Sequence, residues 1–203
     1  ERPSLSHRCR SSPAMLPLID DGIVRKAIAL ALKSAKSITC SWYTLDDFDL
    51  CEAFNSKAAQ IPVRLVLDRG QYVGSSSAME PARVLEALGK GVQVRLGSSR
   101  NGRATVHQKT MLIDEGIALL GSGNATKHSR NSCYEFGIMT QDPDVVSSLS
   151  KHLEMLWEEG TAVTMSYATE IRDKHASRRE AKSEAKGARP LTAAEKRDMS
   201  KYC

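Results

Sequence analysis

Residues 110–113 and 117–120 are two apolar runs, Thr-Met-Leu-Ile and Ile-Ala-Leu-Leu, held apart only by Asp114, Glu115 and Gly116. Two strands joined by a tight turn suit such closely spaced runs, and Asp and Gly are the residue types that tight turns take. The pair predicts a β-hairpin, and any fold proposed for the chain must contain one.

The remainder alternates between the two periods. Asp20 or Asp21 can cap a helix whose apolar stripe is Ile23, Val24, Ala27, Ile28, Ala31, Leu32 and Ala35. Residues 37–44 read as a strand ending in Trp42 and Tyr43, before the turn-prone Asp46 and Asp47. Residues 48–59 look helical through Leu50, Cys51, Phe54 and Ala58, and 63–67 form a short buried strand that runs into Asp68. Residues 70–77 read as a loop, 81–88 as a helix stopped by Gly89 and Gly91, 92–96 as a strand, and 97–105 as a basic, glycine-containing loop. Residues 134–140 give a further strand. Asp142 and Pro143 then open a helix in the favoured order of cap and first-turn proline, and it carries Val145, Val146, Leu149, Leu153, Leu156 and Trp157 to Gly160. The expected fold is α/β, a mixed β-sheet flanked by helices on both faces. Its domain spans 18–160, after a flexible basic lead-in over 1–17 and before a basic, partly helical or disordered tail over 161–203. No internal repeat is visible.

At 203 residues, 41% hydrophobic and 26% charged, the chain suits one substantial core. No run approaches the roughly 18 apolar residues of a membrane span. The chain begins at Glu1, which leaves a preceding targeting or membrane segment open. The net charge of +5 is unevenly placed: 1–171 hold 19 basic and 19 acidic residues, while 172–203 hold 10 and 5. Such a tail can meet polyanions, or can be plain solvated surface. Cys9, Cys40, Cys51, Cys133 and Cys203 are odd in number and include no CxxC pair, which favours a reducing compartment and argues against a disulfide framework or a zinc site.

The chemistry concentrates between 105 and 140. His107 and Lys109 stand two apart, Asp114 follows after four residues, and Gly121, Ser122 and Asn124 follow after six more. On a strand, positions i and i+2 share a face, so His107 and Lys109 project into one pocket. An imidazole attacking phosphorus forms a phosphohistidine and splits one hard displacement into two easier ones. Lys109 supplies positive charge, Asn124 amide donors, and Ser122 a hydroxyl and a backbone N–H, all suited to transition-state charge without a metal. Gly121 and Gly123 let the backbone approach a phosphate. No HExxH, no calcium loop and no Cys/His cluster accompanies them, so neither metal nor cofactor is expected.

This spacing resembles the HKD signature of the phospholipase D superfamily. The likeness extends to 38-ITCSWYTLDD-47, 61-IPVRLVLD-68 and 91-GVQVRLG-97, which are similar to the family's first three core strands, so that about residues 20–158 are covered. The small single-motif members fit best: the bacterial nucleases and the mitochondrial nuclease or cardiolipin-hydrolase branch. The resemblance implies an α-β-α sandwich with a catalytic domain over 18–160, and a Glu135 that accepts a hydrogen bond from the nucleophilic His107. It also implies a structural, charge-pairing Asp114 away from the reacting phosphorus, although a turn residue would be equally at home there. Ala125 departs from the pattern, where an aromatic often follows the motif Asn.

The mechanism needs a second histidine, to protonate the leaving oxygen and then activate water. Larger relatives carry two motifs; this chain carries one, and none of His7, His128, His152 and His175 is followed by a lysine two positions on. A homodimer that places His107 on both sides of one phosphate is the simplest solution, with His128 as the alternative acid within one chain. Arg100, Arg103, Lys127 and Arg130 flank the motif in sequence and suit a nucleic-acid backbone, DNA or RNA. The rival readings are a lipid hydrolase acting on cardiolipin or a phosphatidyl headgroup, with anionic lipid as partner, and a non-catalytic nucleic-acid-binding module. A reducing intracellular compartment is favoured, with mitochondrial association as the resemblance's own suggestion.

Overall fold

In the computed structural model, the residues described are 15–19, 29, 32–73, 87, 89–97, 105–126, 128–129 and 133–187. Strands β1 (Met15–Ile19), β2 (Ile38–Trp42), β3 (Val63–Asp68), β4 (Gln93–Gly97), β5 (Lys109–Ile113), β6 (Ile117–Gly121), β7 (Phe136–Thr140) and β8 (Thr161–Ala162) form one sheet. Helix α1 spans Phe48–Ala58, α2 Arg69–Val73, α3 Pro143–Glu159 and α4 Met165–Gly187. The eight strands lie in the order β1-β7-β6-β5-β2-β3-β4-β8. The pairs β2–β3 and β3–β4 are parallel, and the others are antiparallel. The sheet is mixed, as expected. The hairpin is β5–β6, with Ile113 opposite Ile117 and both Asp114 and Glu115 at positive φ, 53° and 52°.

Strand alternation divides the core in two. Ile38, Cys40, Trp42, Val63, Leu65, Leu67, Met111 and Ile113 join Phe54 of α1 in the larger cluster. Leu112 and Ala118 face the other way and pack against Val146, Leu149 and Leu153 of α3. Helices therefore cover both faces. Asp142, the cap expected from the sequence, accepts the amides of Asp144 and Val145 at α3, with Pro143 in the first turn, and the turn-prone Asp47 caps α1 by accepting those of Asp49 and Leu50. Trp157, near the end of α3, lies between Arg64 and Arg95, whose guanidinium carbons stand 4.9 and 4.7 Å from its ring centre. Cys40, Cys51 and Cys133 are free thiols, and burial pushes that of Cys40 well above its ordinary range. No helix among the described residues is long and apolar enough to cross a membrane.

Three expectations need correction. The lead-in over 1–17 reaches too far, because Met15–Ile19 pairs antiparallel along β7 from Met15–Thr140 to Ile19–Phe136. The loop over 70–77 begins too early: residues 69–73 form α2, because Asp68 accepts the Gln71 amide at 3.0 Å and so caps a short helix. The core also continues past Gly160. Thr161 and Ala162 pair with β4, and Val163, Ala168 and Ile171 are buried in the larger cluster. Few apolar residues suffice there: Val163 donates its amide to the Val94 carbonyl of β4 at 2.9 Å, and Ala168 and Ile171 join a cluster the strands have already built. Of the helix expected over 23–35, Leu32 and Ala35 reach the core. The rest of it, apart from residues 29 and 32–34, lies outside the described residues, as does most of the helix expected over 81–88 and of the loop over 97–105.

Candidate active site

Register gathers the site at one end of the sheet. Trp42 pairs with Lys109, Thr110 with Leu120, and Gly121 with Gly137. The end of β2, the start of β5, the end of β6 and the start of β7 therefore meet, and each carries a motif residue or its neighbour. His107 is exposed just before β5, while Lys109 is buried at its first position. The Lys109 Nζ stands 3.0 Å from both His107 ring nitrogens and can donate to whichever one lacks a proton.

Burial lowers the Lys109 pKa from 10.5, and the nearby Glu135 carboxylate partly opposes that shift. Catalysis that needs the ammonium should fade as pH rises through the lowered value. The alkaline limb of the kcat/KM profile is therefore expected below 10.5, and Glu135→Gln, by removing the stabilising charge, should move it lower still. A limb that stays in place in that variant would show that another group sets it.

Glu135 sits among motif residues, but not as the resemblance implied. Its two carboxylate oxygens accept hydrogen bonds from the hydroxyls of Ser122 and Ser129. The polar neighbour of the His107 ring is the ammonium of Lys109. Ser122 is more committed than expected as well: its backbone N–H donates to Phe136 at 2.9 Å, and its hydroxyl also accepts the Phe136 amide at 3.1 Å. Serine at 122 thus holds β7 and Glu135 in place. Gly121 has a packing reason of its own, since a Cβ there would come within 3.0 Å of the Phe136 carbonyl oxygen. At Gly123 a Cβ would stand 3.4 Å from the Glu135 side chain, so that glycine gives room to the carboxylate.

The Oδ1 of Asn124 is buried and has no hydrogen-bond partner among the described residues. Ala125 is buried in the larger core, bridges Leu45, and accepts the amides of Asp46 and Asp47 at 2.7 and 2.9 Å. The departure at this position therefore fills core rather than lining a pocket. Asp114 lies at the far end of β5 from His107. Its partners are backbone amides rather than charges: Oδ1 accepts Lys36 at 2.6 Å and Ser37 at 2.8 Å, fastening the turn to the start of β2. Asp114→Ala should cost about 2 kcal/mol in denaturant titration, while kcat/KM of the folded protein stays within about twofold; a large loss of rate without loss of stability would place Asp114 in the chemistry.

Four residues at this end of the sheet escaped the motif. Tyr43 packs its ring 4.6 Å from that of His107, tilted by 58°, and the Lys109 Nζ lies 5.6 Å from the Tyr43 ring centre. Gln71 donates to the Tyr43 hydroxyl at 2.6 Å. Asp68, buried at the end of β3, accepts the Val106 amide at 2.8 Å as well as that of Gln71, and so fixes the chain one residue before the imidazole. Ser129 is the fourth. Asp68 left a trace in the sequence as an acid at the end of a buried strand, and Tyr43 left one in the stretch 38–47 that resembles the family's first core strand. Gln71 and Ser129 join them through folding alone. Arg100, Arg103, Lys127 and Arg130 lie outside the described residues, and His128 is exposed.

The family model described as "Cardiolipin synthase, PLD-like domain" matches residues 27–157, well over half of the 203-residue chain. The chain belongs to the phospholipase D superfamily. The mitochondrial cardiolipin hydrolase of Xenopus laevis is 27% identical over 160 residues, covering 78% of this chain and 72% of that protein. Among solved structures, the phospholipase D family member Nuc from Salmonella typhimurium superposes with a TM-score of 0.65 at 22% identity, covering 74% of this chain and 98% of that one. NucT from Helicobacter pylori gives 0.54 at 20% identity, covering 74% and 99%. Those two likenesses concern the fold. The family membership, together with the residue set just described, makes the chain a phosphodiester hydrolase of the phospholipase D superfamily.

Proposed function

We propose that the chain is an endonuclease that cleaves DNA or RNA through a phosphohistidine at His107, without a catalytic metal, as a homodimer. The observation that carries this is an exposed imidazole with a buried ammonium 3.0 Å from its nitrogens. A ring nitrogen of His107 attacks phosphorus, forming the P–N bond as the P–O bond to the leaving strand breaks. Lys109 neutralises the phosphoryl oxygens as charge builds. Asn124, whose Oδ1 no described residue engages, supplies an amide that substrate can orient. The partner copy's imidazole protonates the leaving oxygen, then takes a proton from the water that breaks the P–N bond. The nucleophile and the general acid–base are thus two copies of one residue.

The test is a substrate panel in excess EDTA, comprising single- and double-stranded DNA, RNA, a bis-aryl phosphodiester and cardiolipin liposomes. Strand cleavage is expected to persist with chelator, and protein quenched in alkaline detergent should carry a phosphoryl adduct on His107 that acid then releases. Cleavage that vanishes with chelator would end the metal-independent reading.

One comparison favours a lipid substrate instead: the relative from Xenopus laevis is a cardiolipin hydrolase. Headgroup release from liposomes, with intact nucleic acid, would decide for that reading.

A further inference from the structure

Helix α4 is rooted in the core and then leaves it along one face. Ala168 and Ile171 are buried in the larger cluster. Two turns beyond Ile171, Arg178 continues the same line. At roughly 100° per residue, Arg172, Lys174, Arg178, Arg179 and Lys182 fall within an arc of roughly 160° that contains Ala168 and Ile171. By the same count Glu170, Asp173, Glu180 and Glu184 occupy roughly 80° on the opposite side. A solvated helix stabilised by its own charges would interleave the signs at i and i+4. Here they are sorted. The two ion pairs among the described residues of this helix, Lys174 with Glu170 and Arg172 with Asp173, join residues at or near the borders of the arcs. Arg178, Arg179 and Lys182 make no ion pair among the described residues.

The cationic face leaves the core at the end of the sheet that holds His107. An Arg178 nitrogen lies 3.4 Å from the Val73 carbonyl oxygen and donates to it. Val73 ends α2, and two residues earlier Gln71 holds the Tyr43 ring that packs on His107. At ~1.5 Å per residue the cations span ~15 Å, a length that faces about four phosphates of one strand at ~3.4 Å each.

We infer that the cationic face of α4 is a docking strip for the phosphate backbone of a nucleic-acid strand whose scissile bond lies at His107. This rests on the nuclease reading above and names how that substrate is held. An anionic membrane surface is the less fitting partner. A helix lying on lipid needs an apolar side, and from Arg172 to Gly187 no apolar side chain exceeds alanine.

The experiment measures binding rather than cleavage, so it stands apart from the fate of the nuclease reading. The full chain carrying His107→Asn is titrated with a labelled single-stranded oligonucleotide across a series of salt concentrations. Adding Arg178→Gln, Arg179→Gln and Lys182→Gln together should reduce the slope of log K against log salt by about 2, at ~0.7 per lost phosphate contact. Changing the opposite face by Glu180→Gln and Glu184→Gln should leave that slope as it was. Helix content by circular dichroism checks that α4 still forms. A slope unmoved by the triple variant, with α4 intact, would overturn the docking strip. So would binding that follows net charge equally from both faces. Loss of binding to phosphatidylserine vesicles with unchanged oligonucleotide binding would assign the face to lipid and also overturn it. Failure of the wild-type protein to cleave any strand would sink the nuclease reading and leave the binding result standing.

Discussion

Replacing His107 by asparagine should lower turnover of a phosphodiester by on the order of 10⁵-fold, as removal of a nucleophile does in enzymes that form covalent intermediates. Asparagine keeps polarity and approximate size but cannot bond to phosphorus as a nucleophile that later leaves. Stability should hardly move, because the side chain is exposed and packs on one face against Tyr43; exposed substitutions usually stay within about 0.5 kcal/mol. The variant tests the dimer as well. If two copies of His107 flank one phosphate, mixing inactive His107→Asn protein in excess into wild type, under conditions that exchange subunits, should poison activity in proportion to mixed-dimer formation. Activity that simply tracks the amount of wild-type chain would mean that each copy works alone, with another group such as His128 as its acid. A rate loss under tenfold would remove His107 from the nucleophile role altogether.

The second large effect is expected at Lys109. Lys109→Met should reduce kcat/KM by about 10³-fold, or about 4 kcal/mol of transition-state stabilisation, since a positioned charge at a developing phosphorane is among the strongest single contributions. The same change should not harm the fold. The ammonium is buried at the first position of β5, where burial already disfavours its charge, and its polar contacts are with His107. Methionine fills the same space without a charge to desolvate. The Tm should hold or rise by up to about 3 °C. A folded, thermally normal enzyme with nearly full activity would show that the ammonium is dispensable to both the chemistry and the fold. A collapsed Tm would show that it holds the sheet end together, and in that case the rate loss would carry no information about chemistry.

Both effects, with the displaced alkaline limb expected of Lys109, the structural cost at Asp114 and the one-sided salt response of α4, separate groups that act on phosphorus from groups that hold them there. The sorting follows position. His107 and Lys109 sit where strand ends converge, and Asp114 clasps the opposite end of the same strand. The motif that joins them in sequence therefore spans a chemical end and a structural end.

Sequence alone determined the hairpin, the mixed sheet with helices on both faces, the Asp142 cap and the projection of His107 and Lys109 into one site. These follow from short-range rules: period-two alternation, a turn only three residues long, and a cap one residue before a proline. What it could not determine were the partners chosen across the sheet. Glu135 takes two serine hydroxyls where a histidine bond was expected, because β6 and β7 bring Ser122 beside it and the helical residues 128–129 add Ser129. Tyr43, Gln71 and Asp68 come to the imidazole only because the parallel register of β2 and β3 places their carboxyl ends together. The edges were decided in the same way. Met15–Ile19 becomes a strand by pairing with β7, and Thr161 and Ala162 by pairing with β4. Backbone hydrogen bonds to a partner distant in sequence leave no periodicity in the segment itself, so edge strands and cross-strand contacts belong to the tertiary structure alone.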